Sequence, residues 1–269
     1  MKDRTRKICS ALLTLTLFAG ILLPMGAETV EAKDNTIIRP NEFNYDENGD
    51  GTVTITAFPQ TKYQTNGTVV VPDTIDGYTV TAIDNNVSYA DEVVDLTIPG
   101  TVKEIQSHTF DRTSFLKSVM LGNGVERIGA HAFDTDKGLS SVQLPSTLRE
   151  IGESAFEKCS ALTSIDLPNG LKTIGSQAFL QSGLTSLTLP DSVTSVGSQA
   201  FFECRSLVSA KLSSGMTTIP SQMFQRCTSL RTVTIPASIK SIDSTAFGSC
   251  DLTTIYYGGT QAQWEALLE

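Results

Sequence analysis

Phenylalanine returns along this chain at an almost constant step. Phe110, Phe133, Phe156, Phe179, Phe201, Phe224 and Phe247 follow one another every 23 residues, with one step of 22. A second series keeps the same register: Pro99, Pro145, Pro168, Pro190 and Pro236, with Gly122 and Ser213 in the two gaps. Two independent markers in one phase mean that the chain is an array of equivalent units. A period in this range belongs to solenoids and related repeat architectures.

The unit from Leu162 to Gly183 shows what each repeat does. Ile165 and Leu167 alternate with Ser164 and Asp166, the pattern of a short strand with one buried face. Pro168 ends that strand, because proline offers no ladder N–H. Asn169-Gly170 is a turn; Leu171 and Ile174 then point back inside. Gly175 allows a further bend, and Ala178-Phe179 sets a small and a large residue inward. One unit has too little interior to bury its own apolar side. Stacking lays each strand beside the next, roughly 4.8 Å away, and lines Leu, Ile and Phe into columns. About eight rungs make a rod roughly 40 Å long.

The consensus is L-x-x-[IV]-x-[LI]-P-x-x-[LV]-x-x-I-G-x-x-A-F-x-x-C-x-x-L, nearly complete in Ile151-Gly152-Glu153-Ser154-Ala155-Phe156-Glu157-Lys158-Cys159. It resembles the BspA-like leucine-rich repeat of bacterial surface proteins, over about Val69 to Ile255. Pro follows the strand where the usual leucine-rich repeat has Asn or Cys. The pattern weakens at the start, where Val87-Ser88 replaces Ala-Phe. The resemblance implies a repeat solenoid: a right-handed superhelix with a parallel β-sheet on its concave face. It also implies secreted or surface-exposed proteins used in adhesion and interaction, without fixing a ligand.

Both ends read as caps. Asn44 to Ala57 is rich in Gly and Asp and then alternates Val53, Ile55, Ala57, as a hairpin over the first rung would. Gln263-Trp264-Glu265-Ala266-Leu267-Leu268 predicts a short amphipathic helix that lays Trp264 over the last rung. The organisation expected is a signal peptide at 1–32, an N-terminal β cap at 33–68, about eight repeats at 69–254 and a C-terminal cap at 255–269.

The signal peptide rests on Lys2, Arg4, Arg6 and Lys7 ahead of an apolar run from Ala11 to Leu23, which is short for a membrane span. Cleavage is expected after Ala32, with Ala27 as second choice; an uncleaved anchor is the alternative. Cys9 precedes most of the apolar run, a poor place for lipid attachment. No second run is long enough to span a membrane. The net charge of −9 opposes attraction to nucleic acid through the overall field. The expected partner is an extracellular protein or cell-surface ligand, with no cofactor. The sequence sets no oligomeric state.

The candidate binding surface is the strand face. One outward row reads Asp95, Ser118, Ser141, Ser164, Ser186, Ser209, Thr232, Thr254; the next reads Thr97, Met120, Gln143, Asp166, Thr188, Lys211, Thr234, Tyr256. Small hydroxyls and amides make an adaptable polar sheet, and they also simply suit an exposed one. No row of Trp or Tyr offers a sugar-stacking platform.

Three smaller constellations stand beside it. Cys159, Cys204, Cys227 and Cys250 share one repeat position, with Ser182 near the missing place. Buried thiols suit such a column; bridges Cys204–Cys227 or Cys227–Cys250 are the alternative in an exported chain. His108 and His131 share another position, each followed three residues later by Asp111 or Asp134. Stacking brings both pairs onto one patch, either a divalent-metal site or a solvated loop. Asp46-Glu47-Asn48-Gly49-Asp50-Gly51 opens like a calcium loop, but the twelfth position is Ala57 instead of an acid, and a hairpin turn accounts for the same residues.

No Gly-x-Ser-x-Gly, phosphate loop or His-Glu-x-x-His occurs, and neither histidine departs from the repeat. The expectation is a non-catalytic binding module. A structural spacer or coat component is the second class, and a catalyst working through the His–Asp patch a distant third.

Overall fold

The computed structural model describes residues 43–59, 67–88 and 93–268. The signal peptide expected at 1–32 and its expected cleavage site lie outside the described residues. Within them the chain winds as a parallel β-solenoid whose repeats hydrogen-bond to their neighbours along three separate lines.

The first line is the strand face. Thr68–Val70, Asp95–Ile98, Ser118–Leu121 and Ser141–Gln143 form one parallel sheet; Ser186–Thr188, Ser209–Lys211, Thr232–Ile235 and Thr254–Tyr257 form another. The register joins equivalent repeat positions, such as Leu96 with Val119 and Ile98 with Leu121. The second line consists of two-residue strands: Glu104–Ile105, Arg127–Ile128, Glu150–Ile151, Thr173–Ile174 and Ser195–Val196, then Thr218–Ile219 with Ser241–Ile242.

The third line has no strand. In each turn segment alternate N–H groups donate forward to the next rung: His108 N to Ala130 O at 2.9 Å, Phe110 N to Ala132 O at 2.9 Å, Arg112 N to Asp134 O at 2.8 Å. This geometry needs a left-handed backbone at two residues per rung. His108 and Arg112 take φ of 63° and 61°, His131 and Thr135 55° and 64°, Ser154 and Lys158 50° and 58°. Such residues cost on the order of 1 kcal/mol each. The cost is offset by the hydrogen bonds that alternate N–H groups of the corner make to the next rung. None of these residues is Gly, so the sequence gives no sign of the conformation.

The core is a file of rings. From Phe110 to Phe247 successive phenylalanines stack with centroids 5.3–5.6 Å apart and planes within 13° of parallel. Phe110 to Phe224 are fully buried, and burial of each contributes roughly 1.5–3 kcal/mol. The file does not end where the repeat pattern weakens. Phe58 lies against Phe110 at 6.0 Å with its plane tilted by 32°, and Phe43 meets Phe58 edge-on at 5.8 Å. The residues just beyond the hairpin strand thus supply the ring that Val87-Ser88 does not.

Two expectations about the repeat need correction. Gly175 is not there to bend the chain. It belongs with Gly129, Gly152 and Gly197 to a column where an added Cβ would lie 2.3–2.7 Å from the backbone of the preceding rung. None of the four has a positive φ. They are glycines because the rungs approach too closely for a side chain. The second correction concerns Ser164 to Leu167, which form no strand. Val142, Leu144, Ile165 and Leu167 are only half-buried there. The rungs do not close over their apolar side chains as tightly as elsewhere, and the strand-face ladder opens between its two sheets.

At the N-terminal end the strands Asn44–Glu47 and Thr52–Ala57 pair antiparallel, and the second runs parallel to Tyr78–Ser88. The calcium-like residues serve this turn: the Thr52 hydroxyl donates to Asp50 Oδ1 at 2.6 Å and the Thr54 hydroxyl to Asn48 Oδ1 at 3.0 Å. At the other end the helix Gln261–Glu265 is capped reciprocally by Thr260 and Gln263. It brings Trp264, half-buried, to 5.3 Å from Tyr257. Among the described residues no helix is long and apolar enough to cross a membrane.

Candidate functional site

Parallel pairing in strict repeat register makes the outward side chains of the strand face into rows. Ser118 pairs with Ser141 and Met120 with Gln143 in one sheet. Ser186, Ser209, Thr232 and Thr254 line up in the other, beside Thr188, Lys211, Thr234 and Tyr256. Ser141, Gln143, Ser164, Asp166, Ser186, Thr188 and Lys211 are exposed; Ser118, Ser209, Thr232 and Thr234 are half-buried. Asp95 accepts a hydrogen bond of 2.5 Å from the Ser118 hydroxyl, so this pair is tied together. Ser164 and Asp166 sit at the opening between the sheets, within the row but outside either ladder.

The face is not uniformly polar. Val70 and Met120 are each 48 % exposed, and Tyr256 60 %. Val70, Thr97, Met120 and Gln143 form one wall of an open groove of 460 Å³, whose other side is built by the turns after the strands, including Asp73 and Asn123. The sequence rows contain Met120 and Gln143 but omit Val70 and the turn residues. The signal that finds them is the repeat register, which puts Val70 beside Thr97.

The cysteine column is a column of free thiols. Each Sγ donates to a phenylalanine carbonyl one rung back: Cys159 to Phe133 at 3.2 Å, Cys204 to Phe179 at 3.1 Å, Cys227 to Phe201 at 3.1 Å, Cys250 to Phe224 at 3.0 Å. Ser182 continues the column, its hydroxyl 3.2 Å from Cys204 Sγ. Burial pushes the Cys204 thiol up to about 11 and raises Cys159, Cys227 and Cys250 as well. These sulfurs are poor nucleophiles and serve as compact filler.

The same position carries Thr113 and Asp136 in earlier rungs, which the cysteine pattern conceals. Asp136 is fully buried, and neither carboxylate oxygen takes a hydrogen bond within 3.5 Å. Burial pushes its carboxyl up to about 8, and the nearby Asp111 and Asp134 add repulsion.

The histidine patch forms as stacking requires. The rings of His108 and His131 lie parallel, 4.7 Å apart. His131 Nδ1 is 3.2 Å from Asp134 Oδ2, and His108 Nδ1 is 3.7 Å from Asp111 Oδ2. The sequence reading missed Glu157, one rung on. Ligand atoms of His131, Asp134 and Glu157 all lie within 4.8 Å of one another.

Parallel rungs in strict register, a stacked aromatic core and an extended outward face define a leucine-rich-repeat solenoid. The model of the BspA type leucine rich repeat region matches this chain in six copies over residues 81–208 and 150–265, and the chain belongs to that family. Solved structures agree. A leucine-rich repeat protein from Bacteroides ovatus is 25% identical with a TM-score of 0.58; the match takes in 83% of this chain and 55% of that one. The chain thus spans about half the length of that relative. The T. pallidum leucine rich repeat protein is also 25% identical, with a TM-score of 0.57, over 86% of this chain and 94% of that one. No curated protein matches the chain.

Proposed function

We propose that this protein is a secreted or cell-surface recognition module that binds an extracellular protein through its strand face and performs no chemistry. The observation that carries the reading is the pair of outward rows, largely polar and exposed from Ser141 to Thr188 and at Lys211, beside the groove at Met120. A solenoid suits this task because it offers a long surface built from a rigid core. Hydroxyl and amide side chains give adaptable hydrogen bonds, and Val70 and Met120 supply apolar contact at one end. Membership in a family of bacterial surface proteins supports the cellular setting, and the basic-then-apolar start of the sequence supports export.

A screen of the protein against an array of extracellular proteins tests the reading. A second sample carries Gln143→Lys, Asp166→Lys and Thr188→Lys together. All three side chains are exposed, so the substitutions leave the core intact. Saturable binding that the triple variant loses is the expected result. Absence of saturable binding, or equal binding by both samples, refutes it and favours a structural spacer.

A further inference from the structure

We propose that His131, Asp134 and Glu157 form a binding site for a first-row divalent cation, on the turn segment and separate from the strand face. This inference does not rest on the proposed recognition role.

The repeat itself marks the place. The position after each core phenylalanine carries Asp111, Asp134 and Glu157 on three successive rungs, then Leu180, Phe202, Gln225 and Gly248. Rungs stand about 4.8 Å apart, so three carboxylates in file repel one another unless a cation lies among them. The protein supplies part of that charge: Arg112 pairs with Asp111, and Lys158 with Glu157. Asp134 makes no direct ion pair with Arg or Lys, although the Lys158 ammonium feels its charge, and it takes the His131 ring at Oδ2 and the Thr135 hydroxyl at Oδ1.

A second observation points the same way. Asp136, two residues from Asp134, is fully buried with both oxygens unbonded, and Asp111 Oδ1 is shut from solvent with only Arg112 Nε at 3.5 Å. The corner therefore holds more carboxyl oxygens than its own donors satisfy.

The geometry suits a metal. Bond lengths of about 2.0–2.2 Å place tetrahedral donors roughly 3.4 Å apart, and the His131 to Asp134 pair is already at 3.2 Å. Glu157 closes the set by a side-chain rotation, since Lys158 is 42 % exposed and free to turn to water. His131 is 31 % exposed, which leaves a path for the ion and room for a water ligand. On binding, the cation takes the place of the proton between Nδ1 and Oδ2; that proton leaves to solvent or moves to Nε2. One imidazole with two carboxylates selects an ion such as Zn²⁺ over Ca²⁺ or Mg²⁺.

The test is calorimetric titration of untagged, chelator-treated protein with Zn²⁺. One ion per chain is expected, bound at least tenfold more weakly by His131→Gln and by Glu157→Gln, and unchanged in Glu126→Gln on another part of the rung. Thermal melts in chelator confirm that each variant is folded. Failure to take up Zn²⁺ saturably, or uptake unchanged in both folded variants, overturns the proposal.

Discussion

Phe179 and Phe201 stack at 5.4 Å with 2° between their planes, although they are 22 residues apart where the other successive pairs from Phe110 to Phe247 are 23 apart. The core does not register the missing residue. The deletion falls between Ser182 and Leu184, where other rungs have one residue more. Gly183 absorbs it by drawing close to the previous rung: a Cβ there would lie 2.2 Å from the Ser160 carbonyl oxygen.

Gly183→Ala is therefore expected to destabilise the protein by about 1–3 kcal/mol, the range for forcing atoms into a packed site. Gly138 offers a control in the same corner of a 23-residue unit, because a Cβ there meets the Leu116 carbonyl oxygen only at 3.2 Å. Denaturant unfolding of Gly183→Ala and Gly138→Ala compares them. Equal losses would show that the shortened rung is not specially tight.

Asp136 gives stability a pH dependence. Its folded carboxyl titrates near 8 against an ordinary value of 3.8. The folded state therefore holds the proton more tightly, and stability from this group is full below about pH 4 and declines as pH rises towards 8. Asp136→Ser, which restores the small polar residue found at Ser182, is expected to flatten that decline and raise the melting temperature at pH 8. Melts in chelator from pH 5 to pH 8 read both effects. A variant less stable than the parent at pH 8 would contradict the account.

The thiol column is expected to be silent in the native protein. Cys159, Cys204 and Cys227 are fully buried and Cys250 is half-buried. At pH 8 an aromatic disulfide reagent is expected to label Cys250 slowly and the other three only after denaturant is added, with peptide mapping to assign each thiol. Rapid native labelling of Cys204 would show that the rungs open far more readily than the packing allows.

Much of this architecture is written in the sequence because a solenoid converts sequence period directly into spatial columns. The phenylalanine file, the thiol column and the stacked histidines all follow from residues at one repeat position. What the period does not reveal is how rungs touch. The left-handed backbone at His108, Arg112 and their equivalents falls on His, Arg, Ser, Thr, Lys, Gln and Glu in turn and never on Gly, so no one residue type marks it. The glycine column reads as a bend until the distance to the preceding rung is known. Phe58 lies outside the periodic series, so its place beneath Phe110 emerges only from the fold of the hairpin. Of the strand face, the rows are legible, whereas the opening at Ser164 to Leu167 breaks a pattern as regular there as elsewhere. The groove needs Val70 and the turn residues, whose positions depend on how the rungs meet.

Hydrogen exchange on the complex with a partner selected by the screen tests the central claim most directly. The account predicts slower exchange in the strand-face peptides that span Ser118–Leu121, Ser141–Gln143 and Ser186–Thr188, and no change at Arg127–Ile128, Glu150–Ile151 and Thr173–Ile174. Protection confined to the latter strands, or to the caps, would contradict it and place the working surface elsewhere on the solenoid.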